Sequence, residues 1–156
     1  MLDDLRELYQ EVILDHGKTP RNFRYPDDFT CEAAGNNPMC GDALLVYLKV
    51  DDDKVIRDVA FQGKGCAISV ASASMMTELL KDLSVDEADK LFKAFHAMCT
   101  GEEGASELLG KFDDEIVERL EMLSSVRQFP MRVKCATLAW HTMDAAVKGD
   151  QEISTE

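Results

Sequence analysis

Apolar and polar positions alternate in two different ways along this chain, with strand-like periods before residue 66 and helical ones after it. Residues 2–15 are the exception in the first part. There Leu2, Leu5, Leu8, Tyr9, Val12 and Ile13 recur at three- and four-residue spacing, which predicts an amphipathic helix with Gly17 as its stop. Residues 28–35 read as a strand with Phe29, Cys31 and Ala33 on one face, and residues 43–50 and 55–62 as two stronger strands. Asp51-Asp52-Asp53-Lys54 between the latter two predicts a hairpin loop. Ala67 to Leu80 is small and apolar on nearly every side, the pattern of a buried helix. Ser84-Val85-Asp86-Glu87 is a capping box that starts a helix running to about residue 99. Residues 101–112 are rich in glycine and acid and predict an exposed loop, with a turn of helix at 106–109. Helices are then expected over 113–126 and, opening on Pro130, over 130–148. Strands followed by helices imply an α+β domain: a small antiparallel three-stranded sheet packed against five or six helices. Residues 1–150 are read as one domain and 151–156 as a flexible tail.

Composition narrows what such a domain does. With 156 residues, 46% of them hydrophobic, the chain has enough apolar side chains for one core. A net charge of −13 argues against nucleic acid and anionic membrane surfaces as partners, because both require a basic face. No apolar run approaches the roughly 20 residues needed to cross a bilayer. The acidic start Met1-Leu2-Asp3-Asp4 lacks the layout of a signal peptide, so a cytoplasmic protein is expected. In a reducing compartment five cysteines, an odd number, do not predict a disulfide framework.

The cysteines fall into two groups. Cys31 alternates with apolar neighbours, and Cys99 lies within the stripe Ala88, Leu91, Phe92, Phe95 and Met98, so both read as small packed hydrophobes. Cys40, Cys66 and Cys135 instead stand beside chain punctuation, in Asn37-Pro38-Met39-Cys40-Gly41-Asp42, Gly63-Lys64-Gly65-Cys66 and Pro130-Met131-Arg132-Val133-Lys134-Cys135. If the hairpin turns at 51–54, Asp42 falls opposite Gly63 and Cys40 opposite Gly65, which gathers Cys40, Asp42 and Cys66 at one sheet end. Cys135 is about 110° away from the stripe of Val133, Ala136, Trp140, Met143 and Val147, which leaves it free to face that cluster.

Three thiols and a carboxylate are a donor set that Zn²⁺ accepts in a tetrahedron. The spacing lacks the C-x-x-C pairs of most structural zinc sites, and a carboxylate among thiolates suits a site that exchanges a ligand. Cys66 and Cys135 are expected near helix N-termini, where the dipole favours thiolate. The formal charge of such a centre is near −2, and Lys64, Arg132 and Lys134 are candidates to offset it. Cys40, on the most irregular segment, is the thiol best able to leave the cluster and attack another group. His16, His96 and His141 read as helix-end or surface residues rather than ligands.

The same residues carry a resemblance. Leu8-Tyr9-Gln10-Glu11-Val12-Ile13-Leu14-Asp15-His16, Pro20-Arg21-Asn22, Asn37 to Asp42, Phe61 to Ser69 and Arg132 to Trp140 resemble the U-type iron–sulfur assembly proteins, the group of SufU, IscU and the N-terminal domain of NifU. Lys134, where the IscU type carries histidine, and the long stretch between Cys66 and Cys135 are similar to the SufU type. That resemblance implies an IscU-like fold and zinc at Cys40, Asp42, Cys66 and Cys135. It implies a pyridoxal-phosphate cysteine desulfurase of the SufS type as partner, with downstream Suf cluster-assembly proteins beyond it. The implied function is a zinc-dependent sulfur acceptor, with the persulfide sulfur taken on Cys40 after the partner displaces that thiol from the metal. Two alternatives stay open: a scaffold for a transient [2Fe–2S] or [4Fe–4S] cluster on the same residues, and a structural zinc adaptor.

Overall fold

The computed structural model describes residues 2–150 and 152–154, with the side chains of 2–6 and 8 outside it. In chain order the elements are α1 (Leu2–Lys18), β1 (Cys31–Asn37), β2 (Asp42–Val50), β3 (Ile56–Lys64), α2 (Ala67–Leu80), α3 (Val85–Thr100), α4 (Ala105–Leu109), α5 (Asp114–Glu121), a 3₁₀ turn at Ser124–Gln128, α6 (Pro130–Lys148) and β4 (Glu152–Ser154). The α+β architecture is as the patterning implies, and the sheet order is β3-β2-β1-β4. The sheet therefore has four strands rather than three. The fourth comes from the expected tail: Glu152 to Ser154 pair in parallel with Ala34 to Asn36. Gly149, left-handed at φ 86°, ends α6 and turns the chain back along β1, whose outer edge would otherwise lack a partner.

The β2–β3 hairpin pairs Leu44 with Gly63 and Val46 with Phe61, two residues out of the expected register. The cause is an irregularity between Lys49 and Val50 and a turn built on Asp51, whose Oδ1 accepts from the backbone N–H groups of Asp53 at 3.0 Å and Val55 at 2.9 Å. A two-residue slip keeps every side chain on its predicted face, because the strand period is two.

The core lies between one sheet face and the helices. Leu44, Val46, Leu48, Val59 and Phe61 are all at most 2% exposed and pack beneath α2, α3 and α6. Phe29 departs from expectation. It precedes β1 and packs at 5.2 Å on Tyr47, on the opposite sheet face from Ala33. In α1 Ile13 is buried, while Leu2, Leu5 and Leu8 of the expected stripe have side chains outside the described set. The capping box at Ser84 forms in both directions, and α6 opens on Pro130. The helix expected over 113–126 stops at Glu121 and continues as the 3₁₀ turn.

One polar contact fixes α6 against α2. Ser72 Oγ donates to the carbonyl of Ala136 at 2.5 Å and accepts from Trp140 Nε1 at 3.2 Å, while the Trp140 ring stacks on Phe95 at 4.7 Å. Cys135 precedes Ala136, so this lock sets its position relative to the start of α2. No helix among the described residues is long and apolar enough to cross a membrane.

Candidate metal centre

Four loop and helix ends meet at the edge of the sheet. Cys40 lies on the 38–41 loop joining β1 to β2, where its N–H donates to the carbonyl of Asn37 at 3.2 Å; its side chain is exposed. Asp42 begins β2 and is 2% exposed. Its Oδ1 accepts from the Cys66 N–H at 2.9 Å and its Oδ2 from Asn37 Nδ2 at 3.3 Å. Gly65 is required by this approach, because a Cβ there would sit 2.6 Å from Asp42 Oδ1. Cys66 is the N-cap of α2, with its Sγ accepting from the Ser69 N–H at 3.4 Å. Cys135 comes from α6, is 2% exposed, and accepts from Asn37 Nδ2 at 3.5 Å.

The donor atoms of Cys40, Asp42 and Cys135 lie within 4.8 Å of one another. Cys66 stands outside that tight group, although its thiol adjoins Cys135 closely enough to perturb it. Burial pushes the Cys135 thiol well above the ordinary range, and hydrogen bonds to Asp42, Cys40 and Cys66 push it in the same direction. Burial and its three neighbours thus oppose ionisation of the Cys135 thiol. A cation relieves that opposition, and three thiols with one carboxylate match the preferences of Zn²⁺.

The expected offsetting charges do not pair within the cluster. Arg132 lies over the Phe129 ring at 4.5 Å, and among the described residues neither Lys64 nor Lys134 forms an ion pair. Cys135 also departs from expectation, since it is the sixth residue of α6 and lies beyond the first turn, where the dipole acts. Only Cys66 holds a helix N-terminus. The remaining candidates lie elsewhere. Cys31 is half-buried on the core face, and Cys99 is fully buried with its thiol pushed up to about 12 by burial. His16 hydrogen-bonds Ser74 Oγ at 2.7 Å, and His96 and His141 pack together at 5.4 Å.

Sequence reading missed Asn37. Its amide, fully buried, reaches both Asp42 and Cys135. The signal was present: Ala33, Gly35 and Asn37 alternate inward along β1, which aims a polar side chain at the core side three residues before Cys40.

Residues 8–111 match the family described as NifU-like N terminal domain. The chain belongs to that family. Among curated relatives, it is 39% identical over 149 residues to the zinc-dependent sulfurtransferase SufU of Bacillus subtilis, covering 95% of each chain. It is 40% identical over 148 residues to the iron–sulfur cluster assembly scaffold protein IscU of Streptococcus pyogenes, covering 94% of this chain and 87% of the relative. A solved structure from Fervidobacterium islandicum AW-1, described as a candidate cluster assembly scaffold for the SUF system, superposes with a TM-score of 0.78 at 32% identity. That superposition covers 90% of this chain and 97% of the other. The NifU-like N-terminal fold is shared at 20% identity with a protein of Brucella abortus, with a TM-score of 0.76.

Proposed function

We propose that this NifU-like protein is a cytoplasmic, zinc-dependent sulfur acceptor in iron–sulfur cluster assembly. The observation that supports it best is the unequal burial of one cluster. Asp42 and Cys135 are 2% exposed, whereas Cys40, within 4.8 Å of both, is open to solvent on a loop. Cys40, Asp42, Cys66 and Cys135 are the residues that would hold Zn²⁺. When bound, the metal supplies the positive charge that keeps these thiols deprotonated.

The chain's own part in the transfer falls to Cys40. Its thiolate attacks the outer sulfur of a persulfide on a cysteine desulfurase of the SufS type. A new S–S bond forms on Cys40, the old one breaks, and the desulfurase cysteine departs as thiolate with no net oxidation. Met39, beside it and 63% exposed, gives the loop an apolar contact for the docked partner. Asp42 and Cys135 stay in place, pinned by Asn37 and the Cys66 N–H.

Cys40→Ala should abolish sulfur acceptance from a desulfurase loaded with labelled sulfur while leaving the circular dichroism spectrum unchanged. Full transfer by that variant would sink the proposal. A second reading, a scaffold for a transient cluster, draws on the name of the S. pyogenes relative. Against it stands Lys134, half-buried beside Cys135 where the IscU type carries a histidine. Colourless protein with about one zinc per chain favours sulfur relay, and a brown chromophore favours the scaffold.

A further inference from the structure

Asn37 is fully buried, yet only half of its amide is used. Nδ2 donates to Asp42 Oδ2 at 3.3 Å and to Cys135 Sγ at 3.5 Å, one N–H for each. A carboxylate can only accept, so the nitrogen of the amide must face Asp42, and its second N–H then reaches the Cys135 sulfur. Oδ1 has no hydrogen-bond partner among the described residues. A buried amide that leaves its acceptor unpaired is a poor choice for stability alone, since an apolar side chain of the same shape would leave nothing unsatisfied. What the amide supplies is a fixed distance between two groups from distant parts of the chain, the start of β2 and the second turn of α6.

We infer that Asn37 is a positioning residue for the metal centre: it clamps Asp42 and Cys135 into a preformed pair, so that the ion is held when Cys40 leaves. The inference rests on the zinc reading above. The Cys40 thiol meets Cys135, but both bonds of the Asn37 amide go to Asp42 and Cys135, so departure of the Cys40 thiol leaves the clamp itself in place. Partners of this kind, bonded to ligands rather than to the ion, orient the ligands and commonly change metal affinity about 10–100-fold.

Asn37→Leu separates clamping from packing, because leucine keeps the same branched arrangement of heavy atoms, with two bulkier methyls, and removes the donor. In the full chain, Zn²⁺ affinity measured by competition with a chromophoric chelator should fall about 10–100-fold. The visible bands of the Co²⁺-loaded protein should shift or weaken, reporting a looser donor set. The denaturant midpoint of the metal-free variant should stay equal to or above that of wild type. Asn37→Ala should lose the same affinity, and serves where the leucine variant does not fold. Wild-type affinity with an unchanged Co²⁺ spectrum in both variants would overturn the inference. So would a loss of affinity that only tracks a matching loss of metal-free stability. Failure of the wild-type protein to bind Zn²⁺ at all overturns the zinc reading itself, which makes the two failures distinct.

Discussion

Cys40 and Cys135 are the same residue type in one cluster, yet one is exposed on a hairpin loop and the other is 2% exposed inside a helix. The backbone explains the difference. Cys40 belongs to a four-residue connection, 38–41, whose backbone is held, among the described residues, by the Cys40 N–H to the carbonyl of Asn37. Cys135 belongs to α6, which is locked to α2 through Ser72 and to the sheet through its buried face. The site therefore has a buried, hydrogen-bonded floor of Asp42, Cys135 and Asn37, and an exposed rim. A pure storage site would bury all its thiols, and a pure thiol reagent would need no floor. Having both fits the proposed role, in which an ion is held while one thiol departs.

The most direct way to break the comparison is to measure thiol reactivity in the metal-free chain. Iodoacetamide at neutral pH, with peptide mapping by mass spectrometry, should label Cys40 first. Cys135 should lag because its sulfur is covered and its thiol is held protonated, first by burial and then by the hydrogen bonds of its neighbours. Cys99 calibrates the slow end. Its thiol, raised from 9.0 to about 12, carries about 10³-fold less thiolate than an ordinary cysteine. Equal labelling of Cys40 and Cys135 would mean that the floor is not rigid.

Two glycines sharpen the comparison at smaller magnitude. Gly65 belongs to the floor, where a Cβ would meet Asp42 Oδ1 at 2.6 Å and Ser69 Cβ at 3.2 Å. The carboxylate cannot retreat without dropping its bonds to Cys66 and Asn37, so Gly65→Ala should cost about 1–3 kcal/mol and weaken metal binding. Gly41 belongs to the rim, with φ 71° and nothing within 4 Å of where a Cβ would stand. Gly41→Ala should cost only about 1 kcal/mol of backbone strain and leave metal affinity near wild type. Denaturant titration and chelator competition on both variants check this. A reversal of the order would dissolve the distinction between floor and rim.

How much of this was legible beforehand depended on which physical signal carried it. Periodicity located the principal helices and β1 to β3, because each buries one face. The approach of Asp42 to Cys66 survived a register error because the slip was even-numbered, whereas Cys66 stands outside the group that Cys40 and Asp42 form with Cys135. The bulge behind that slip was not legible, since the turn depends on how the Asp51 side chain bonds the backbone beyond it. β4 was missed because Glu152-Ile153-Ser154 has almost no apolar signature; it is a strand only because β1 offers it an edge. Cys135 was rightly placed off the apolar stripe, but it is buried all the same, because α6 is covered on nearly every side. Asn37 was overlooked because an asparagine beside a proline reads first as a turn residue.

The smallest expected effect concerns what supports the floor. α2 carries Cys66 and Ser69 at its start, and further along it Ser74 bonds His16 Nδ1 at 2.7 Å and accepts the Arg21 N–H at 2.8 Å, which ties the end of α1 to it. His16 is held below the ordinary histidine value, mainly by burial and next by the Arg21 charge, against the opposing pull of Glu78 and Asp15; Arg119 adds slightly to the lowering. His141 is shifted the same way by burial and His96, with Asp144 opposing. A lowered folded value means that, below about pH 6.5, the unfolded chain takes up protons the folded chain refuses. These histidines therefore contribute their full stability above that pH and lose it as pH falls towards their folded values. The unfolding free energy of the metal-free chain should drop between pH 7.5 and 5.5. His16→Gln, whose amide can still bond Ser74, should flatten part of that drop while leaving the reactivity of Cys40 unchanged. A slope identical to wild type would show that His16 protonation plays no part in holding α2, and the support of the floor would then have to come from the core alone.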